Sequence, residues 1–209
     1  MLLAAGVGLT APVSVDAPSA SDAAILASIH DGTKQALAGI GLPLLGLGAA
    51  LLLWFAAGLR RVLDRLSGGD WLAHAVVPAA ALLGGLTIAG VSISVSSAVA
   101  ALSNEFTADA DTARVFGAAG LVVGLTGLAG AAAMVAVTTR IAQQAHTLPT
   151  WAIWVSYVVA VLCLTSFWSA GVASVAFALW LIGAVVAVLR VARVTLGVDG
   201  DFGAVGEAT

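Results

Sequence analysis

Charge is the scarcest thing in this 209-residue chain: Asp, Glu, Lys and Arg make up 9% of it, where a soluble domain carries about 25%. Hydrophobic residues fill 61%, which excludes a chain that folds in water. Lys34 is the only lysine and the formal net charge is -3, so there is no polybasic patch to grip nucleic acid or anionic lipid. The single cysteine, Cys163, excludes a disulfide framework and a thiolate cluster, and it reads as a small core hydrophobe. The three histidines, His30, His74 and His146, stand far apart in sequence, so no metal site or proton relay is expected of them. No nucleophile elbow, phosphate-binding glycine loop or zinc motif survives a check of its context. The chain is therefore expected not to be an enzyme and to hold no cofactor and no metal.

What is present is a set of four charge-free windows, 35–59, 71–104, 115–139 and 141–189. A hydrocarbon core of about 30 Å is crossed by about 20 helical residues at 1.5 Å each, and every window is long enough. The pattern predicts an all-α fold, a polytopic transmembrane helical bundle of about five full spans preceded by a short N-terminal apolar segment.

The organisation follows from the windows and their punctuation. Residues 1–34 form a short apolar segment, 1–13, too short to cross, then a Pro-containing linker and an interfacial outer helix capped by Ser21 or Asp22. Residues 35–193 form the bundle and 194–209 a Gly-containing cytoplasmic tail. The predicted spans are 35–59, with Pro43 inside it, 71–102, 113–139, 150–167 and 171–190. The Arg60–Asp70 stretch reads as a cytoplasmic loop and 103–114 as an acidic outer loop, with Asp111 or Thr112 capping the next helix. Glu105, Asp109 and Asp111 read as solvated loop residues, and Asp199 and Asp201 lack the other ligands of a calcium loop. Six of the basic residues (Arg60, Arg61, Arg65, Arg140, Arg190, Arg193) then fall inside and two (Lys34, Arg114) outside. This bias places the C-terminus in the cytoplasm of a bacterium bounded by this plasma membrane.

In lipid, helices associate through close backbone contact and interhelical hydrogen bonds, so small residues become the adhesive. The span at 113–139 carries Gly117, Gly120, Gly124, Gly127 and Gly130, of which Gly120 and Gly124 make a GxxxG pair. The span at 71–102 carries Gly84, Gly85 and Gly90 and then Ser92, Ser94, Ser96 and Ser97. These two are expected to be the central helices, with those residues at the helix contacts. The serine run 92–97 and Thr87, Thr126, Ser156 and Thr165 are expected to bond their own i-4 carbonyls or to make helix contacts. The first span adds Gly39, Gly41, Gly46 and Gly48.

The order of features resembles a group of uncharacterised multi-pass membrane proteins of actinobacteria. The residues that carry this are Asp16-Ala-Pro18, the helix closing with Trp54-Phe55 and Gly58-Leu-Arg60-Arg61, the Leu148-Pro149-Thr-Trp151 start, and Phe177-Ala-Leu-Trp180. The chain departs from the group at 1–13, where members carry a complete first helix. The resemblance implies five to six helices and lends no catalytic residue.

The leading expectation is a non-enzymatic integral membrane protein, an accessory or assembly subunit of a larger membrane complex or a homo-oligomer. Its partners would be membrane lipids, other membrane-protein subunits or itself. The alternative is a binder or transporter of a hydrophobic or lipid-like small molecule, with Phe177 and Trp180 touching it.

Overall fold

The computed structural model describes residues 21–69, 71–100 and 109–195, and among them every element is helical. The expectations for the 1–13 segment, the linker at 16–20 and the tail beyond 195 lie outside the described residues.

Helix α1, Asp22–Ile29, starts where the Ser21 hydroxyl accepts the Ala24 N–H at 3.4 Å and stops at His30. Helix α2, Gly32–Ser67, follows at once, because the Asp31 carboxylate accepts the Thr33 N–H at 2.9 Å. The Gln35 side chain donates to the Ile29 carbonyl at 2.8 Å, which ties the end of α1 to the start of α2 and satisfies an orphan acceptor. The helix runs through Pro43 and past Arg60 and Arg61. The stretch expected to be a loop is thus helical to Ser67: Arg60 and Asp64 form an i,i+4 pair at 3.6 Å, and nothing breaks the helix before Gly68 and Gly69. Those two adopt φ of +66° and +96°, the left-handed region that glycine enters without steric cost.

The chain then makes a 3-10 turn, Trp71–Ala75, before α3, Val76–Ala100. Pro78 sits in the first turn of α3, where its missing N–H would have had no partner. Helix α4 spans Ala110–Gln144. Its N-cap is Asp109, not Asp111 or Thr112, because Asp111 lies within the first turn and bonds the Arg114 guanidinium at 2.8 Å. Its C-terminus is a Schellman turn, with the Thr147 N–H on the Ala142 carbonyl and the His146 N–H on the Gln143 carbonyl. The left-handed position is held by His146 at φ 53° rather than by glycine.

Helix α5, Thr150–Leu164, and helix α6, Ser166–Thr195, are separated by Thr165 alone. The Trp180 indole N–H donates to the Ser156 hydroxyl at 3.1 Å. On one straight helix those residues would stand about 36 Å apart, so the chain reverses near Thr165.

Three helical segments, Gln35–Ser67, Trp71–Ala100 and Ala110–Gln144, are long and apolar enough to cross a membrane, and two shorter apolar ones follow. The bundle has two cores. One joins Leu52, Ala56 and Leu59 of α2 with Val76 and Leu83 of α3, Met134 and Val135 of α4, and Val159, Cys163 and Ala173 of the last two helices. The other, at the opposite end, joins Ile25 and Ile29 of α1 with Ala38, Val95, Ala98, Ala110 and Ala113. Arg114 locks this end, reaching Asp22 of α1 at 2.5 Å as well as Asp111.

Candidate functional site

The closest approach in the molecule is the crossing of α3 and α4. A Cβ added at Gly90 would stand 2.5 Å from both the Gly120 carbonyl oxygen and the Gly124 nitrogen. One added at Gly120 would collide with the Ser94 hydroxyl and the Gly90 carbonyl, and one at Gly130 with the Ala79 carbonyl. Gly127 continues the seam, where an added Cβ would stand 3.2 Å from the Leu83 carbonyl oxygen. Backbone therefore lies on backbone, as expected where lipid supplies no hydrophobic drive between helices.

The structure divides the residues expected at helix contacts. Gly120 and Gly127 lie in the seam. Gly124 receives Gly90, although its own Cβ would meet nothing within 4 Å. Gly84 faces α2 instead, where an added Cβ would stand 3.2 Å from the Ala49 Cβ. Gly117 is half-buried, Gly85 and Ser92 are exposed, and Ser96 turns its hydroxyl to the Ile93 carbonyl at 2.7 Å. Gly90, Ser94 and Gly130, which the sequence also offers among the small residues of these two spans, lie in the seam, and Gly90-x-x-x-Ser94 is a small-xxx-small pair like Gly120-x-x-x-Gly124.

The hydroxyls in the helices are closed on their own backbones. Thr87, Ser94, Thr126, Thr138, Ser156 and Thr165 each donate to the carbonyl four residues back, at 2.7 to 3.0 Å. Two buried side-chain oxygens among the described residues, Thr139 Oγ1 and Asp64 Oδ1, have no hydrogen-bond partner. No group of three or more His, Cys, Asp or Glu converges among the described residues.

Phe177 and Trp180 stack with ring centroids 6.0 Å apart and an interplanar angle of 17°. Both pack against the larger core, and the Trp180 indole is occupied by Ser156.

The seam also sets the heights of the helices. Ala49, Gly84 and Gly130 share one level, since Gly84 meets Ala49 and Gly130 meets Ala79, Leu82 and Leu83. From that level, Arg60 on α2 and Arg140 on α4 lie about 16 Å and 15 Å away toward the same end. Trp71, Trp151 and Trp154, all exposed, stand at that end too.

One open face, on α2, is lined mostly by small residues. Ala36, Gly39, Pro43, Gly46, Ala50, Leu53 and Ala57 of α2 follow alternating steps of three and four, and every one is exposed. A Cβ at Gly39 or Gly46 would meet nothing within 4 Å, whereas Gly41 and Gly48, turned the other way, are buried. Trp54, 79% exposed, stands beside this face only about 8 Å from the shared level.

No protein-family model, curated protein or solved structure matches the chain.

Proposed function

We propose that the protein is a non-enzymatic integral protein of the bacterial plasma membrane that acts by lateral assembly, as an accessory subunit of a larger membrane complex or as a homo-oligomer. The observation that carries this reading is the open heptad of small residues on α2. Each glycine inside a helix costs about 1 kcal/mol relative to alanine, and among the described residues nothing lies within 4 Å of a Cβ added at Gly39 or Gly46. Glycines with that spacing are explained when a second helix approaches closely, at the shallow angle a seven-residue repeat favours. Trp54 supports it, because lipid-facing tryptophans collect at the headgroup boundary and this one stands deeper.

In this reading the hydrocarbon is centred on the level of Ala49, Gly84 and Gly130. Its inner boundary, about 15 Å below, coincides with Arg60 and Arg140. The arginines make that end cytoplasmic by the positive-inside bias, with α1, Asp22, Asp111 and Arg114 outside. Helices α2, α3 and α4 cross. The last two helices either complete five crossings or enter and leave on one side, and both arrangements leave the C-terminus cytoplasmic. The resemblance to actinobacterial multi-pass proteins agrees with this location.

The test is extraction of the protein from its native membrane with a surrounding lipid annulus, followed by mass spectrometry of what accompanies it. A defined neighbour or a second copy is expected, and it should be lost on Gly39→Leu with Gly46→Leu. A lone monomer would overturn the proposal.

A further inference from the structure

We infer that α5 and α6 form a re-entrant hairpin, which enters the hydrocarbon from the cytoplasmic side, turns at Thr165 near mid-depth and returns without crossing. The inference rests on the membrane placement proposed above for α2, α3 and α4.

Length is the first argument. It applies to the entering arm: helix α5 has 15 residues and rises about 22 Å, against about 30 Å of hydrocarbon, whereas α6 has 30 residues and about 45 Å, so the depth of the turn is set by α5 and its register. Register is the second. The Tyr157 hydroxyl lies 3.3 Å from the Gln143 side-chain oxygen, which pins the middle of α5 to the last turn of α4. Thr165 lies only about 12 Å further along α5, while the level of Gly130 is about 20 Å from Gln143. Even with Tyr157 reaching down toward Gln143, the turn at Thr165 comes no higher than about the bilayer centre.

Packing is the third argument, and it is independent of length. Among the described side chains, every core residue of α5 and α6 belongs to the cytoplasmic core: Val159, Ala160, Cys163 and Ala173, with Phe177 and Trp180 among those packed against them. The outer core is built from α1, α2, α3 and α4 alone. Alongside it, Val115, Leu121 and Val122 of α4 remain exposed, with neither arm of the hairpin laid over them.

The fourth argument is chemical. A helix that stops inside hydrocarbon leaves carbonyls with no water to solvate them, each costing several kcal/mol if unmet. At the turn, the Thr165 N–H donates to the Val161 carbonyl at 2.9 Å, and its hydroxyl bonds the Val161 and Leu162 carbonyls at 3.0 and 3.3 Å. One threonine thus closes two of the four terminal acceptors of α5.

The experiment uses the full chain carrying Cys163→Ala, with single cysteines at Leu164 and Gly171, both exposed on the bundle surface. Asp109→Cys marks the outside and Arg61→Cys the cytoplasmic side. A membrane-impermeant maleimide is applied to intact cells and to inverted vesicles. The expected result is labelling of Asp109→Cys from outside, of Arg61→Cys in inverted vesicles, and loss of labelling from both sides at Leu164→Cys and Gly171→Cys. Spin labels at the same two positions should show the oxygen accessibility of the bilayer interior. Labelling of either hairpin position from the side that labels Asp109→Cys would overturn the re-entrant hairpin and leave the three-crossing placement standing. Labelling of Asp109→Cys and Arg61→Cys from one side would instead overturn the placement and the hairpin with it.

Discussion

Gly90 and Gly124 touch each other, yet alanine at the two positions should have opposite effects. At Gly90 the new methyl stands 2.5 Å from a carbonyl oxygen and an amide nitrogen of α4, where ordinary Cβ contact begins at 3.4 Å. The helices must part by about 0.9 Å at their closest point, and both obstacles are backbone, which cannot rotate away as a side-chain end could. Overpacking of this kind lies at the upper end of its range, about 3 kcal/mol, of which alanine recovers about 1 kcal/mol in helix propensity. The net loss is about 2 kcal/mol, roughly thirtyfold in the unfolding equilibrium. At Gly124 an added Cβ meets nothing within 4 Å, so Gly124→Ala keeps the propensity gain and should be neutral or up to about 1 kcal/mol more stable. The assay is reversible unfolding in mixed micelles by titration with a denaturing detergent, followed by circular dichroism. Equal stability of Gly90→Ala and the parent chain would refute the seam, as would a loss at Gly124→Ala matching that at Gly90→Ala.

Other substitutions probe the ends and the hairpin. His146→Gly should stabilise by about 1 kcal/mol, because the Schellman position at φ 53° strains any residue with a Cβ; a lower melting temperature would contradict this. Ser156→Ala should cost about 1–2 kcal/mol by leaving the Trp180 indole without its acceptor, and Ser156→Thr should restore most of it in the same unfolding assay. Arg114→Gln removes the ion pairs to Asp22 and Asp111 and should speed amide exchange in α1 while leaving α3 and α4 protected; unchanged exchange in α1 would show that burial of Ile25 and Ile29 holds it alone.

The charge-free windows were a sound guide to where helices lie, since hydrocarbon excludes charge residue by residue and that exclusion is visible in any one sequence. They were a poor guide to where helices end. Arg60, Arg61, Asp64 and Arg65 marked a change of solvent, not a change of backbone, and α2 continues through them to the first pair of glycines. The GxxxG pair at Gly120 and Gly124 pointed to the correct helix and to its pairing with α3. Which residues face each other depends on the vertical register between two helices, and that is set by the whole contact. Hence the sequence offers Gly90, Ser94 and Gly130 on the same terms as Gly85 and Ser92, and only the bundle turns the first three into the seam and the last two outward. The open face of α2 was hidden for the same reason: Gly39, Gly41, Gly46 and Gly48 look alike in sequence, and only the bundle separates the two that are buried from the two that are not.

The outward face of α2 is tested most directly by native mass spectrometry of the protein released from its own membrane in lipid nanodiscs, for the parent chain and for Gly39→Leu with Gly46→Leu. The prediction is a bound neighbour or second copy on the parent chain and none on the variant, with the variant bundle no less stable than the parent because, among the described residues, nothing lies within 4 Å of a Cβ at those positions and the glycine cost is relieved. A parent chain that emerges alone, or a variant that keeps its partner, would contradict assembly through this face.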